Sequence, residues 1–296
     1  MRFHQILFAA ATLSGSATGL SAQVRASELA MVSQTIDGTE LKIEYSRPRT
    51  RGRDSVFGGE VKWNEVWTPG ANWATTLELN RDIKLDGHPV PKGKYSVWLV
   101  VRQSGPWTMV LDPRSRLFHM AHPDSSADQI RYPVTPEPAP TTTVLTWSFP
   151  EIRVNGGTMA MQWGAVRVPF RIEVTPSYNV LITAAKAGPY LGRYDFEWTQ
   201  KGPGDTIPMT LTISYRDTVL MGEWTPELWP GAGPVILIPV KDDWFVPAFL
   251  QKGEIYDVEK SMSMEFARRK GGQKLAAAFE VRGTGDSLWA KGKRKQ

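Results

Sequence analysis

The chain has 296 residues, 41% hydrophobic and 22% charged, which is the composition of a globular protein with room for one large or two medium-sized domains. Cysteine is absent, and this excludes disulfides, thiol nucleophiles and cysteine-ligated zinc. The net charge of +5 is small for the length and lies partly in the basic C-terminal residues 291–295, so the composition argues against nucleic-acid binding.

The N-terminal residues have the pattern of a secretory signal peptide. Arg2 precedes an apolar run from Ile6 to Leu13, and small residues follow up to Ala22. We therefore expect residues 1–22 to be removed and the mature protein to be exported, to the periplasm or the cell exterior. No later window offers about 18 uninterrupted apolar residues, so stable insertion into a membrane is not expected.

Short alternations of apolar and polar residues, separated by turn residues, follow the signal pattern. Two Asp-Gly pairs, at positions 37–38 and 86–87, predict β-hairpins. Residues 112–140 are rich in Pro, Asp and Ser and predict a long surface loop without strands. The clearest strand runs from Val166 to Val174, where Pro169 predicts an edge or bulged position.

A second unit is predicted after a linker at residues 176–189, in which Asn179 to Lys186 are expected to form a short helix. Alternating runs resume beyond it and predict another antiparallel sheet, curled or closed so that its edges are hidden. Long amphipathic helix patterns do not occur in the sequence. The predicted fold class is therefore all-β, with an antiparallel β-sandwich over residues 26–175 and a second small antiparallel β-sheet or barrel-like domain over residues 190–296.

An ordered run of motifs in the first unit resembles a known family. The motifs are Tyr45-Ser46-Arg47-Pro48, Phe57-Gly58-Gly59, Gly70-Ala71-Asn72, Gly93-Lys94-Tyr95-Ser96 and Val168-Pro169. They are similar to those of the exported bacterial family domain of unknown function 2911, over about residues 26–175. The resemblance implies a compact, β-rich exported domain without an assigned role. At Thr68 and Trp73 the chain departs from the family pattern, which has Arg and Glu there, so no role that rests on those two residues is carried over.

Residues 190–296 resemble, in short patterns only, domain of unknown function 3471. The patterns are Leu191-Gly192-Arg193-Tyr194, Pro239-Val240 to Phe245, and Met264-Glu265-Phe266. Domains of this kind follow some exported hydrolases, where the other domain carries the chemistry. The resemblance therefore implies an accessory role for the second unit.

The stretch from Ile43 to Thr76 is where we first expect a functional site. It contains arginines at positions 47, 49, 51 and 53, three tryptophans and several glycines. Guanidinium groups match carboxylates, phosphates and sulfated sugars bidentately, and an exposed tryptophan offers a flat platform to a sugar. The predicted ligand is a carbohydrate or another anionic small molecule. The predicted ligand-binding residues are Arg47, Arg53, Trp67, Asn72 and Trp73.

An alternative interpretation of the same stretch stays open. The arginines could pair with nearby carboxylates, and the tryptophans could pack in the core. Five of the 12 tryptophans lie between positions 63 and 107, and among these five Trp73 and Trp98 are the candidates for exposure. In that case the stretch closes the sandwich and binds nothing.

No residue set in the sequence identifies a reaction. His119 and His122, with His88 or Asp128, have only a weak resemblance to a metal site, and we predict no metal and no cofactor. A nucleophile elbow and a phosphate-binding loop are both missing from the sequence, so no catalytic residue is assigned. The leading hypothesis is a non-catalytic binding protein. The alternatives are an exported hydrolase, with glycans as a candidate substrate class, and a scaffold or assembly domain; the oligomeric state is not predicted.

Overall fold

A computed structural model describes residues 26–53, 55–199, 207–267 and 274–296. The predicted signal peptide, residues 1–22, lies outside the described residues. Regular structure in the described part is almost entirely antiparallel β, arranged as two packed sheets followed by a closed barrel. The all-β prediction is therefore confirmed.

The first unit is a β-sandwich that contains strands β1 to β11. In chain order these are β1 Glu28–Ile36, β2 Thr39–Arg47, β3 Val66–Trp67, β4 Thr76–Leu79, β5 Ile83–Leu85, β6 His88–Val90, β7 Gly93–Val100, β8 Trp107–Asp112, β9 Ile130–Val134, β10 Glu137–Arg153 and β11 Gly156–Val174. One sheet has the order β1-β2-β4-β7-β8-β9, with β3 added to β7, and the other has the order β10-β11-β5-β6.

Local sequence explains how the sandwich begins. The Asp37-Gly38 pair connects β1 to β2, and both residues have positive φ angles of 44° and 74°, which this two-residue hairpin turn requires. Alternate residues of β2 then face inward, with Leu41 and Ile43 fully buried. These side chains pack against residues of the second sheet such as Phe170. Burial of a side chain of this size contributes about 1.5–3 kcal/mol, so the alternation fixes which face of the sheet points inward.

The prediction of a strand-free loop over residues 112–140 is wrong in its second half. Strand β9 pairs with β8, and β10 already begins at Glu137. Pro133 argues against a strand in the sequence, because proline lacks the backbone N–H that a central strand needs. Strand β9 lies at the edge of its sheet, where the missing N–H is tolerated. Pro169 of β11 lies between the last residue paired with β10, Arg167, and the first residue paired with β5, Ile172.

The second unit is a closed eight-stranded antiparallel barrel. Its strands are β12 Gly192–Trp198, β13 Met209–Arg216, β14 Val219–Thr225, β15 Val235–Lys241, β16 Trp244–Gln251, β18 Ser263–Phe266, β19 Ala278–Arg282 and β20 Leu288–Arg294, while β17 Glu254–Val258 pairs only with β16. Pairing of β15 with β16 closes the ring. Aromatic side chains such as Tyr194, Phe245 and Phe279 fill the interior.

The connection between the units contains one α-helix, α1 Ala184–Ala187, followed by a 3-10 turn at Gly188–Tyr190, and α1 is shorter than the helix predicted for Asn179 to Lys186. A polar contact joins the two units. The Asp37 carboxylate accepts hydrogen bonds from Ser177 Oγ at 2.7 Å and from Lys260 Nζ, in the barrel, at 2.8 Å. Within the described residues, no helix has the length and apolar character needed to span a membrane.

Candidate ligand-binding groove

An open groove of about 510 Å³ lies on the outer face of the first sheet, opposite the sandwich core. Its floor consists of Glu44 and Ser46 of β2 together with Thr76 of β4. These residues alternate with inward-facing ones such as Ile43, and Glu44 is paired with Thr76 across the two strands. The outward positions of β2 and β4 are polar, so the floor offers hydroxyl and carboxylate groups to a ligand.

The aromatic wall of the groove is formed by Trp73, whose surface is 45% exposed. The guanidinium carbon of Arg116 lies 4.5 Å from the centre of the Trp73 ring, in cation–π geometry. Phe118 contacts the ring edge-on, with 5.7 Å between the ring centroids. Two backbone hydrogen bonds hold these segments together, from Ala74 N to Leu117 O and from His119 N to Asn72 O. The rest of the lining consists of Glu28, Leu29, Tyr45, Ala74, Lys94 and Ser115.

The loop that carries Arg116 is anchored by Asp112, whose side chain is fully buried. Its carboxylate accepts hydrogen bonds from Arg114 Nε at 2.9 Å, Arg114 Nη2 at 2.8 Å and Gln129 Nε2 at 2.6 Å. Burial raises the pKa of this carboxyl, but the hydrogen bonds from Arg114 and Gln129 outweigh burial and hold the pKa below its ordinary value. The loop is therefore tied at both ends to one ionised group.

Trp98 contradicts the expectation that it is exposed. It is fully buried on the outer face of the sheet, in a cluster with Ala74 and Val110 against which Leu117 packs. Its indole Nε1 donates to Ser96 Oγ at 2.9 Å, and Ser96 Oγ donates to the carbonyl of Arg114 at 2.8 Å. The loop after β8 folds back over this face, which a local sequence pattern does not reveal.

One of the five predicted binding residues lines the groove, and a second is its neighbour in the chain and contacts a residue of the groove floor. Trp73 lines the groove, and the preceding Asn72 donates through Nδ2 to Ser46 Oγ at 3.2 Å and to the carbonyl of Ser27 at 3.3 Å. Asn72 has a φ of 63°, a left-handed conformation that asparagine tolerates better than most residues. This turn directs Trp73 to the groove wall.

The other three predicted residues do not line the groove. Arg47 binds the second sheet, through Nε to Leu145 O at 3.3 Å and Nη2 to Thr146 Oγ1 at 3.0 Å. Trp67 stacks on Trp163 at the edge of the core, with 5.9 Å between ring centroids.

Arg53 forms an exposed ion pair with Glu60 at 3.1 Å. These contacts correspond to the alternative interpretation in which arginines pair and tryptophans pack.

Sequence reasoning missed the floor of the groove and Arg116. Lys42, Glu44 and Ser46 alternate with buried residues, and this alternation was the available indication of an outward polar face. Arg116 lies in a loop without any period, so no sequence pattern indicates it. Among the described residues, no group of three His, Asp or Glu side chains is arranged to hold a metal. His119 lies against Phe118, and His122 contacts the ring of Trp98.

Fold and site together define an all-β protein in which a β-sandwich with an open, aromatic-walled groove precedes a filled barrel. Residues 27–172 match the model of the family described as protein of unknown function (DUF2911). The match confirms the resemblance that the motifs indicated. No curated protein and no solved structure matches the chain significantly. The resemblance of residues 190–296 to domain of unknown function 3471 stays a prediction.

Proposed function

We propose that this is an exported, non-catalytic glycan-binding protein whose ligand occupies the outer groove. The observation that carries the proposal is the half-exposed ring of Trp73 beside a floor of hydroxyl and carboxylate groups. A tryptophan ring packs against the apolar face of a sugar, while Glu44, Ser46 and Thr76 can exchange hydrogen bonds with its hydroxyl groups. The groove volume of about 510 Å³ falls in the range of roughly 300–1,000 Å³ that small-molecule sites occupy.

The anchored loop also supports binding. Asp112 fixes the start of the segment that carries Ser115 and Arg116, and backbone hydrogen bonds fix its approach to Trp73. A wall that is already ordered loses little conformational entropy when a ligand arrives. The groove therefore has the preorganisation that favours recognition of a weakly binding ligand such as a sugar chain.

Titration calorimetry against neutral and acidic oligosaccharides tests the proposal. The variant Trp73→Ala should weaken binding about tenfold or more, since exposed aromatic anchors dominate such sites. Trp229→Ala is the matched control, because Trp229 is 42% exposed but belongs to the barrel unit. Failure of every oligosaccharide class to bind, or equal losses in both variants, would overturn the proposal.

A second candidate function is that of an exported glycoside hydrolase. It is favoured by two carboxylates, Glu28 and Glu44, that both line the groove, because glycoside hydrolysis uses a pair of carboxyl groups. Mass spectrometry of oligosaccharides after incubation with the protein distinguishes the two functions. Shortened chains that disappear with Glu44→Gln would favour hydrolysis, and intact chains would favour binding alone.

A further inference from the structure

We infer that the glycan bound in the groove is acidic, and that Arg116 binds the carboxylate of one of its uronic acid residues. This inference rests on the proposed function of the groove and adds the chemical class of the ligand. It starts from the different surroundings of two neighbouring arginines in the loop after β8.

Arg114 and Arg116 differ in what their guanidinium groups contact. Arg114 is bound by both oxygens of Asp112. Arg116 lies over Trp73 and has no carboxylate partner among the described residues. A stacked guanidinium uses its flat face for the ring and keeps its N–H edge free, and that edge matches a carboxylate bidentately. Arg116 is thus held in position for an anion that the described part of the fold does not supply.

The other charges of the groove restrict the kind of anion. Lys94 lies 3.4 Å from Glu78, which also pairs with Lys42 at 3.0 Å. Glu28 and Glu44 add negative charge to the lining. A ligand with a high density of negative charge would meet these carboxylates, and like charges across an interface are unfavourable. A uronic acid residue brings a single carboxylate with hydroxyl groups around it, which suits this balance.

Trp73 and Arg116 form one wall of the groove. This arrangement favours a ligand in which the sugar ring and the carboxylate belong to the same sugar residue. The ring of a uronic acid can pack beside Trp73 while its carboxylate reaches the guanidinium edge of Arg116. The neighbouring hydroxyls then face the polar floor at Ser46 and Thr76. A neutral hexose would make the same ring and hydroxyl contacts but would leave Arg116 without a partner.

The test compares three forms of the same oligosaccharide by calorimetry. The probes are oligoglucuronates and oligogalacturonates as free acids, their methyl esters, and the neutral hexose oligosaccharides of the same linkage. For the wild type we expect the acid to bind about tenfold more tightly than its ester, as a charge-assisted bidentate hydrogen bond allows. In Arg116→Gln this preference should fall to within about twofold, while binding of the ester is retained. Arg193→Gln, at an exposed arginine of the barrel, is the matched control and should keep the preference.

Each result decides between the two proposals. Equal binding of acid and ester by the wild type, or a preference that survives in Arg116→Gln, overturns the inference about acidic glycans. Binding of neutral sugars that depends on Trp73 would then leave the proposed function standing. If no form binds at all, the proposed function fails and the inference fails with it.

Discussion

Arg116 in the groove and Arg294 at the end of the barrel both stack on an aromatic ring, but their surroundings are opposite. Arg294 lies 4.7 Å from the centre of the Tyr194 ring and donates to the carbonyls of Pro189, Leu191 and Ala276. Arg116 lies 4.5 Å from the Trp73 ring, with the groove in front of it. The comparison teaches that stacking alone does not mark a binding arginine; what matters is whether the fold satisfies its N–H groups.

Barrel residues surround the guanidinium group of Arg294 closely, whereas the guanidinium group of Arg116 lies at an open groove. Gly192 has a φ of 135°, and a Cβ at this position would collide with the Arg294 guanidinium. Tyr194 completes the set of contacts by accepting a hydrogen bond from Arg294 through its hydroxyl. Arg294 therefore closes one end of the barrel as part of its structure.

The largest effect is expected for Arg294→Met, which keeps an apolar stem but removes every donor. Several carbonyl groups lose their partner, and the free energy of unfolding should fall by about 2–4 kcal/mol. Guanidinium chloride unfolding measures this change. Lys293→Met, at the exposed neighbouring position, is the control and should change stability by less than about 0.5 kcal/mol. Similar values for both variants would remove the structural role assigned to Arg294.

Asp112→Asn has an intermediate expected effect, because it alters the one carboxylate that anchors the loop of Arg116. The amide of asparagine would place a donor opposite the N–H groups of Arg114 or Gln129. We expect a loss of about 2 kcal/mol in unfolding free energy at neutral pH, together with weaker ligand binding. Asp124→Asn, at an exposed position of the same loop, should leave both quantities nearly unchanged.

The pH dependence of that loss follows from the direction of the pKa shift. Burial raises the pKa of Asp112, but the hydrogen bonds from Arg114 and Gln129 lower it by more than burial raises it. The folded-state pKa therefore lies below the unfolded value of about 3.9. The stabilisation is complete above the unfolded pKa and is lost as the pH falls through the folded pKa. The stability difference between wild type and Asp112→Asn should therefore shrink below about pH 4, and a difference that grows in acid would contradict this assignment.

The fold could be predicted from the sequence largely because its determinants are local. Alternation in β2 and the Asp37-Gly38 pair specify a hairpin and its buried face within a few residues. Strand β9 could not be recognised, because its pairing with β8 rather than its own composition makes Pro133 acceptable. The sequence predicts a second sheet that is either curled or closed. It does not decide between the two, because closure depends on the pairing of β15 with β16.

The candidate site was only partly predictable. Asn72 and Trp73 lie in a stretch whose motifs drew attention to it, and both belong to the groove region. Arg116 reaches Trp73 because backbone hydrogen bonds join its segment to Asn72 and Ala74, and Asp112 also binds Gln129, 17 residues further along the chain. Contacts of that kind join loop segments that have no regular alternation of apolar and polar residues, and a single sequence does not reveal them.

The smallest effect is expected for Arg116→Met, and it tests the comparison directly. An exposed cation–π contact contributes only about 0.5–1 kcal/mol, and the methionine side chain can replace part of the packing on Trp73. The free energy of unfolding should therefore change by less than about 1 kcal/mol, well below the loss in Arg294→Met. Both variants are measured by the same guanidinium chloride titration. If Arg116→Met were as destabilising as Arg294→Met, the N–H groups of Arg116 would be satisfied within the fold, and the arginine would not be free to bind an acidic sugar.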